Sequence, residues 1–581
     1  MLDQRMTARQ IADRATMQNL LNCFLRETGR GTVIPYGTAG ERAFLISLDK
    51  LGMEVLAPLR YLSPTGRHLF GFPVTAGPEG DARRAELDPA ALAALISREL
   101  FLERGGSPEE LLLRSLQSRR NVERFVEARL GERPEKGFIA AEQSLVFGHP
   151  LHPTPKSRQG FTGEQLAAYS PEMGASFPLH YFRAHRSIVA EGSALPRRAS
   201  QLILEELRRD PGTGQELPGD EDHALVPAHP WQAEMLLRRP EVRRLVEEGL
   251  LEHLGPLGSP YRPTSSVRTV YRAEARFMLK LSLGVGITNS VRNNLRGELL
   301  RGMKMCRVLE SAVGRELRER FPDFRIIRDP AHITVETGGG KESGFEVLLR
   351  ENPFHGGEDA AALVALCQDG LGEEGSRLAR IVRHLAREEG RPPSEVSREW
   401  FRRYLEVSLR PILWLYFAHG IAPEAHQQNS VLELEGGYPA RFYYRDNQGY
   451  YFRESAREHL ERLVPGVHDI EGGTVVEDAL ADERLRYYFF VNNLFGVVNA
   501  LGCAGLADER ELLRELRRVL EELEPEAPPA SELVPSLLHL RRLPCKANLL
   551  TRLHDMDELL GDLETQSVYV EVDNPLAEVS A

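Results

Sequence analysis

Over residues 7–27 the apolar positions Ile11, Met17, Leu20, Leu21, Phe24 and Leu25 fall on one helical face, with Arg14 and other polar residues between them. Thr7 and Gln10 predict a capping box at the start of this helix, and Gly29 predicts its stop. Similar periodicity predicts helices over 89–104, 108–130, 199–209, 231–253 and 508–522, with helical character dominating 371–419. Strand-like runs fall at 42–48, 68–74, 265–283 and 332–350. In 276–283, RFMLKLSL, the residues Phe277, Leu279, Leu281 and Leu283 face one way and Met278, Lys280 and Ser282 the other, so Lys280 lies on the polar face of a strand. SVLELE, a Gly-Gly turn and a second strand ending in YYRDNQG predict a hairpin over 430–449. EEGRPPSEVS (388–397) predicts a loop and a boundary region, EPEAPPASE (524–532) a surface connection, and the chain beyond Asp573 a short extended arm. The fold class is α+β.

Composition narrows the function. At 581 residues the chain predicts roughly three or four domain-sized units. A net charge of −12 argues against a nucleic-acid partner, which needs a basic footprint, and is compatible with a cationic substrate. No signal-peptide pattern and no apolar run of about eighteen residues appears, so a cytoplasmic protein without a membrane span is expected. Five scattered cysteines without a CxxC pair predict neither a disulfide framework nor a zinc site. Of 73 basic residues only seven are lysine, which draws attention to Lys156, Lys280 and Lys546 in polar motifs.

The densest chemistry lies at 148–160, GHPLHPTPKSRQG, where His149 and His152 each precede proline. A residue before proline is pushed out of the α region, which excludes a helical zinc motif. In extended chain Lys156 and Arg158 share a face and suit a phosphate or carboxylate; the alternative is a solvated basic loop. TSSVRTVYR (264–272) brings Ser266 and Arg268 to one face with Thr269 beyond. LKLSLGVGITNSVRNN (279–294) adds Lys280, a glycine turn at Gly284 and Gly286, and then Thr288, Asn289 and Arg292 at an expected polar helix start. GIAPEAHQQN (420–429) feeds the hairpin that ends at Asp446, a layout resembling kinase catalytic loops in which a loop Asn and a later Asp hold magnesium, here Asn429 and Asp446. VPAHPWQ (226–232) reads as a helix start, and Lys546 and Arg552 in LPCKANLLTR (543–552) as solvated helix charges. TGGGKES (337–343) lacks the first glycine of a P-loop.

Taken in order between residues 148 and 449, GHPLHPTPKSRQG, SVRT, KLSLGVGITNSVR, PEAHQQN and RDNQG resemble the NRPS-independent siderophore synthetases of the aerobactin-synthetase type. The closing NPL (574–576) agrees. This resemblance implies a three-part hand: a thumb over 1–140, fingers over 141–370 and a palm of distant kinase-like character over 371–581. It implies siderophore biosynthesis by an ATP-dependent ligase that adenylates a carboxylate of citrate and condenses it with an amine or hydroxyl, releasing AMP and pyrophosphate. By the family's pattern His149, Lys156, Arg158, Ser266, Arg268, Thr269 and Lys280 bind the nucleotide. Thr288, Asn289, Arg292, His426 and Gln428 grip the polycarboxylate, with Lys280, Arg292 and His426 at the reacting centre. Glu424 and Asp446 serve Mg2+, and a homodimer is implied.

The opening helix, ATMQNLLNCFLRETG (15–29), looks most like members acting on free citrate; a citrate monoamide or 2-oxoglutarate is the alternative acid. A kinase-like phosphotransferase is the rival activity, although Gln427 and Gln428 stand where a catalytic aspartate would be needed. A binding protein without turnover is the rival outside catalysis.

Overall fold

The computed structural model describes residues 6–579 except 38–39, 133–135, 215–216, 218–220, 289, 339–341, 373, 471–472 and 557–566. At the N-terminus, Ala8–Thr28 is a helix whose capping box joins Thr7 and Gln10 and whose end is Gly29 in the left-handed conformation. With helices Pro89–Arg104 and Pro108–Arg129 it packs on a six-stranded antiparallel sheet that includes Glu41–Leu48 and Met53–Tyr61. Leu20, Phe24, Ile46, Leu92 and Ile96 fill the core between them, together with Leu549, Leu550 and Leu553 from the other end of the chain.

The second core lies on an eight-stranded sheet built from residues 177–351. Strand Phe277–Leu281 sits inside it, between Thr269–Tyr271 and Val347–Glu351. Phe277, Leu279 and Leu281 enter this core. Met278 and Lys280 take the opposite face, as the alternation predicts, but that face is no solvated surface: both are buried and line a cavity.

The largest core surrounds the 27-residue helix Pro393–His419. Against it lies the hairpin Ser430–Glu435 and Tyr438–Tyr444, whose turn residues Gly436 and Gly437 have φ of 55° and 84°, the two positive values that a tight hairpin turn requires. Met305, Val308, Leu317 and Phe324 join this core, as do Ala361, Leu363 and Leu366.

Several expectations are corrected. Residues 231–253 are not one helix: Pro240 starts a second short helix after Pro230–Leu237, and Leu251–Pro263 is a strand. Gly284 and Gly286 do not turn the chain but lie within strand Leu283–Ile287, and the next helix begins only at Arg296. An added Cβ there would meet Gln232 and Trp231 at Gly284, and Gln159 at Gly286, so these glycines admit close side-chain packing. Only Leu69–Phe70 of the 68–74 run is a strand. Of 388–397, residues 390–392 lie outside the flanking helices, and both helices serve one core. The C-terminus is not a free arm: buried Asn574 donates to the carbonyls of Leu537 (2.9 Å) and Leu540 (2.7 Å), and Leu576 is fully buried.

Candidate functional site

The polar segments singled out in the sequence converge on one cavity of about 970 Å3. Its floor is the strand carrying Lys280. Thr269 is directly opposite Lys280 on the neighbouring strand, and Arg350 is opposite Met278 on the other side. Lys280 Nζ lies 3.3 Å from Asp446 Oδ1 and donates to Gln448 Oε1. Arg350 forks onto Asp329 at 2.7 and 2.8 Å and reaches to 3.7 Å from Asp446. Burial opposes ionisation of Asp446, yet Lys280, Arg350 and the Gln448 N–H outweigh it and hold the carboxyl well below the usual range. Burial, aided by Arg268 and Arg350 and opposed by Asp446, pulls the Lys280 ammonium down to about 8.

Above this strand the turn at residues 264–269 is closed by Thr264 N–H on the Thr269 carbonyl (2.8 Å) and Thr269 N–H on Ser266 Oγ (3.1 Å). Val267 within it has φ of 67°, a costly conformation for a β-branched residue, held by packing against Trp231, Leu283 and Val285. Arg268 donates to the Arg292 carbonyl (3.1 Å) and to Asn294 Oδ1 (2.9 Å), and burial lowers its pKa to about 10. Fully buried Glu142 accepts from Ser265 N–H (2.9 Å) and twice from Arg445 (2.8 and 3.2 Å). Arg445 also donates to the Gln428 carbonyl at 2.9 Å, and Gln428 to Ser265 Oγ at 3.2 Å. This brace fixes the 264–269 turn against the 424–429 loop.

Arg292 donates to Thr288 Oγ1 at 2.9 Å, and Thr288 has φ of 55°. Its carbonyl accepts from Arg114 (3.4 Å) and Arg552 (3.3 Å), so the turn is gripped from the N-terminal and C-terminal parts of the chain. Asn289 lies outside the described residues.

In 148–160 the histidines act first on the backbone. His149 Nδ1 accepts from Leu151 N–H and His152 Nδ1 from Thr154 N–H, each at 3.0 Å. His229 does the same for Trp231 N–H at 3.1 Å, so each of these His-Pro steps closes a side-chain turn two residues on. His149 Nε2 lies 2.6 Å from the Asn492 amide. Lys156 and Arg158 do border the cavity, but neither is a solvated loop charge: both donate to Glu172 Oε1, at 2.6 and 2.5 Å. Burial would raise the Glu172 carboxyl, and the two cations override it to hold it at about 2.

The 424–429 loop carries the remaining groups. Asn429 Nδ2 is 3.4 Å from Asp446 Oδ2, which joins the two residues of the expected kinase-like pair. Glu424 accepts from Tyr451 OH at 2.6 Å, and burial raises its carboxyl. Burial lowers His426 to about 3, so its imidazole is neutral at physiological pH; its ring lies 5.7 Å from that of Tyr488.

Several cavity residues escaped the sequence reading. Arg486–Leu494 is a π-helix, a wide and uncommon turn frequent at functional sites. Its consecutive asparagines hold the loop: Asn492 Oδ1 accepts from Gln427 N–H (3.3 Å), and Asn493 donates to the Ala425 carbonyl (2.7 Å) and Ser430 Oγ (2.9 Å). Tyr487, Tyr488 and Arg484 line the same wall. Lys546 also lines the cavity from the end of strand Arg542–Lys546, and Arg552 is buried, which corrects their reading as solvated helix charges. Lys546 had one signal, its rarity; Asn492 and Asn493 had none, because their role depends on helix width.

A cavity rich in cations that also holds the half-buried carboxylates of Glu424 and Asp446 suits polyanionic ligands. The chain belongs to the IucA/IucC family, whose pattern matches residues 137–368; residues 398–561 match the pattern described as ferric iron reductase FhuF-like transporter. It is 43% identical to a spermidine-citrate ligase of Bacillus anthracis, over 98% of both chains. It is 41% identical to the rhizobactin siderophore biosynthesis protein RhbC of Rhizobium meliloti, over 97% of both. The structure of ATP-bound aerobactin synthetase IucA from Klebsiella pneumoniae superposes with a TM-score of 0.88 at 28% identity, covering 97% of this chain and 99% of that one. Among the described residues no helix is long and apolar enough to cross a membrane.

Proposed function

We propose that the protein is an ATP-dependent citrate–amine ligase of siderophore biosynthesis. The observation that carries this reading is the convergence of Arg268, Lys280, Arg292, His426, Glu424 and Asp446 on one cavity, from segments far apart in the chain of an IucA/IucC family member. The relatives' names support the acid and the nucleophile class: one is a spermidine-citrate ligase and another an L-2,3-diaminopropanoate–citrate ligase. Free citrate is the acid of this reading.

A carboxylate approaching the α-phosphate of ATP brings like charges together, so the site must supply preorganised cations. Lys280 and Arg268 meet the phosphates, with Ser266, Thr269 and His149 beside them. Lys156 and Arg158, which share the single counter-charge of Glu172, shape the wall of the nucleotide site more than they add charge to it. Arg292, held by Thr288, presents its fork to citrate, with Gln428 and neutral His426 on the facing loop. Asn289 belongs to this group by its position in the motif. Attack of a citrate carboxylate oxygen on the α-phosphate expels pyrophosphate and leaves citryl-adenylate; the amine then attacks the activated carbonyl, and AMP leaves. The proton the amine loses passes to water, because His426, lowered to about 3, is too weak a base to hold it at neutral pH.

Glu424 and Asp446 line the same cavity and fit Mg2+, which takes one or two carboxylates and completes its shell with phosphate and water. Bound there, Mg2+ would neutralise phosphate charge. The three cores fit a thumb, fingers and palm, with the Asn429–Asp446 pair as the kinase-like trait of the palm. A homodimer completes the reading.

The reading is tested by incubating the protein with MgATP, citrate and hydroxylamine as a surrogate nucleophile. Citrate-dependent AMP and pyrophosphate release is expected. ADP release would favour a phosphotransferase, and no turnover with citrate or 2-oxoglutarate would favour a binding protein.

A further inference from the structure

We propose that Asp369 selects the nucleophile, by binding the distal ammonium of a linear polyamine. The inference rests on the ligase reading above and names the amine class of that site. Four carboxylates line the cavity among the described residues: Glu298, Asp369, Glu424 and Asp446. Glu424 and Asp446 stand with the phosphate-binding cations. Glu298 accepts from Leu295 N–H at 3.0 Å, as the first-turn partner of its own helix start. Asp369 remains, and it alone of the four is turned toward thumb residues. Its Oδ2 accepts from Arg67 at 2.5 Å and from Gln18 at 3.5 Å. Its Oδ1 has no hydrogen-bond partner among the described residues, and its side chain is 46% exposed. A carboxylate can accept at least two further hydrogen bonds in this state.

Arg67 engages only Oδ2 and leaves Oδ1 to a further donor. Its other terminal nitrogen donates to Asn499 Oδ1 at 3.1 Å, so the guanidinium is spread between two acceptors and fixed in place. Phe72 and Phe147 also line the cavity, Phe147 beside Gln368, as apolar walls suited to methylene groups.

The spacing points to a long amine. Asn492, which touches His149, precedes Asn499, which anchors Arg67, by seven residues of continuous helix. Seven residues rise by roughly 10 Å. An amine attacking beside His149 and His426 would need an extended chain of triamine length to place its far ammonium on Asp369. A two-carbon amine or amino alcohol falls short.

The test compares spermidine with hydroxylamine as nucleophiles in citrate-dependent AMP release, for the wild type and Asp369→Asn. The substitution keeps the shape and the contacts to Arg67 and Gln18 but removes the charge. The ratio of kcat/KM for spermidine to that for hydroxylamine should fall about 10- to 100-fold, the range for one hydrogen bond to a charged group. The loss should fall on KM, and the wild-type preference for spermidine over ethylenediamine should vanish. An unchanged ratio in an active variant, or an equal loss with both nucleophiles, would overturn this inference alone. A wild type that releases no AMP with citrate and either nucleophile would overturn the ligase reading and this inference with it.

Discussion

At the scale of residues, the site works through charges whose state is set by burial as much as by partners. Lys280, brought to about 8, is charged at neutral pH and loses its proton as pH rises through that value. kcat/KM for ATP, which reports the free enzyme, should therefore fall above about pH 8. Lys280→Arg should keep the charge and move that fall upward, and a profile identical to wild type would remove Lys280 from the phosphate site. Arg292→Ala should lower kcat/KM for citrate about 10- to 100-fold while nucleotide binding persists, as isothermal titration with ATP would report. Equal losses of citrate and ATP affinity would mean a structural role. The residues at this scale were legible where a residue type was rare or the spacing periodic. Lys280 was found by alternation and Asp446 by its place after a hairpin. Glu142 and Glu172 were not, because a carboxylate becomes a brace only through partners such as Arg445 and Lys156 that folding brings beside it.

At the scale of elements, the extended 148–160 segment is stapled by its own histidines and by Glu172. Glu172 is ionised in the fold down to about pH 2, against an ordinary carboxyl value near 4.5. Its folded value is depressed, so its contribution is complete above about pH 4.5 and is lost as pH falls toward 2. Glu172→Gln leaves two buried cations short of a counter-ion and should cost about 3–5 kcal/mol in urea unfolding. A loss below about 1 kcal/mol, the worth of an exposed pair, would show that the triad is solvated. Periodicity identified most of the helices and the central strand but missed the break of 231–253 into two helices and a strand, while local residue types marked the first capping box and the Gly436–Gly437 turn. Periodicity failed also at Gly284 and Gly286, where glycine serves side-chain packing and not a turn, and gave no signal at Arg486–Leu494, where nine residues are too few to separate a wide helix from a regular one.

At the scale of the whole molecule, the chain's two ends meet behind the cavity. Glu27 of the first helix accepts from Leu549 N–H (2.8 Å) and Leu550 N–H (2.9 Å), and Arg26 donates to Cys545 Sγ at 3.4 Å. These contacts set the corner from which Lys546 enters the cavity. No local pattern could reveal this, since the partners are more than five hundred residues apart. Burial raises the Glu27 carboxyl to about 8, so folding takes up a proton between about pH 4.5 and 8 and stability from this group declines as pH rises across that window. The wild-type Tm should fall more steeply from pH 5 to 8 than that of Glu27→Gln; parallel profiles would mean that Glu27 is ionised throughout.

The family resemblance rested on five ordered motifs, and it is their meeting in one cavity that turns them into a site. The most direct measurement is the identity of the nucleotide product from MgATP, citrate and hydroxylamine, resolved by chromatography. AMP and pyrophosphate should form in equal amounts, and only when citrate is present. Formation of ADP, or nucleotide turnover indifferent to citrate, would contradict it.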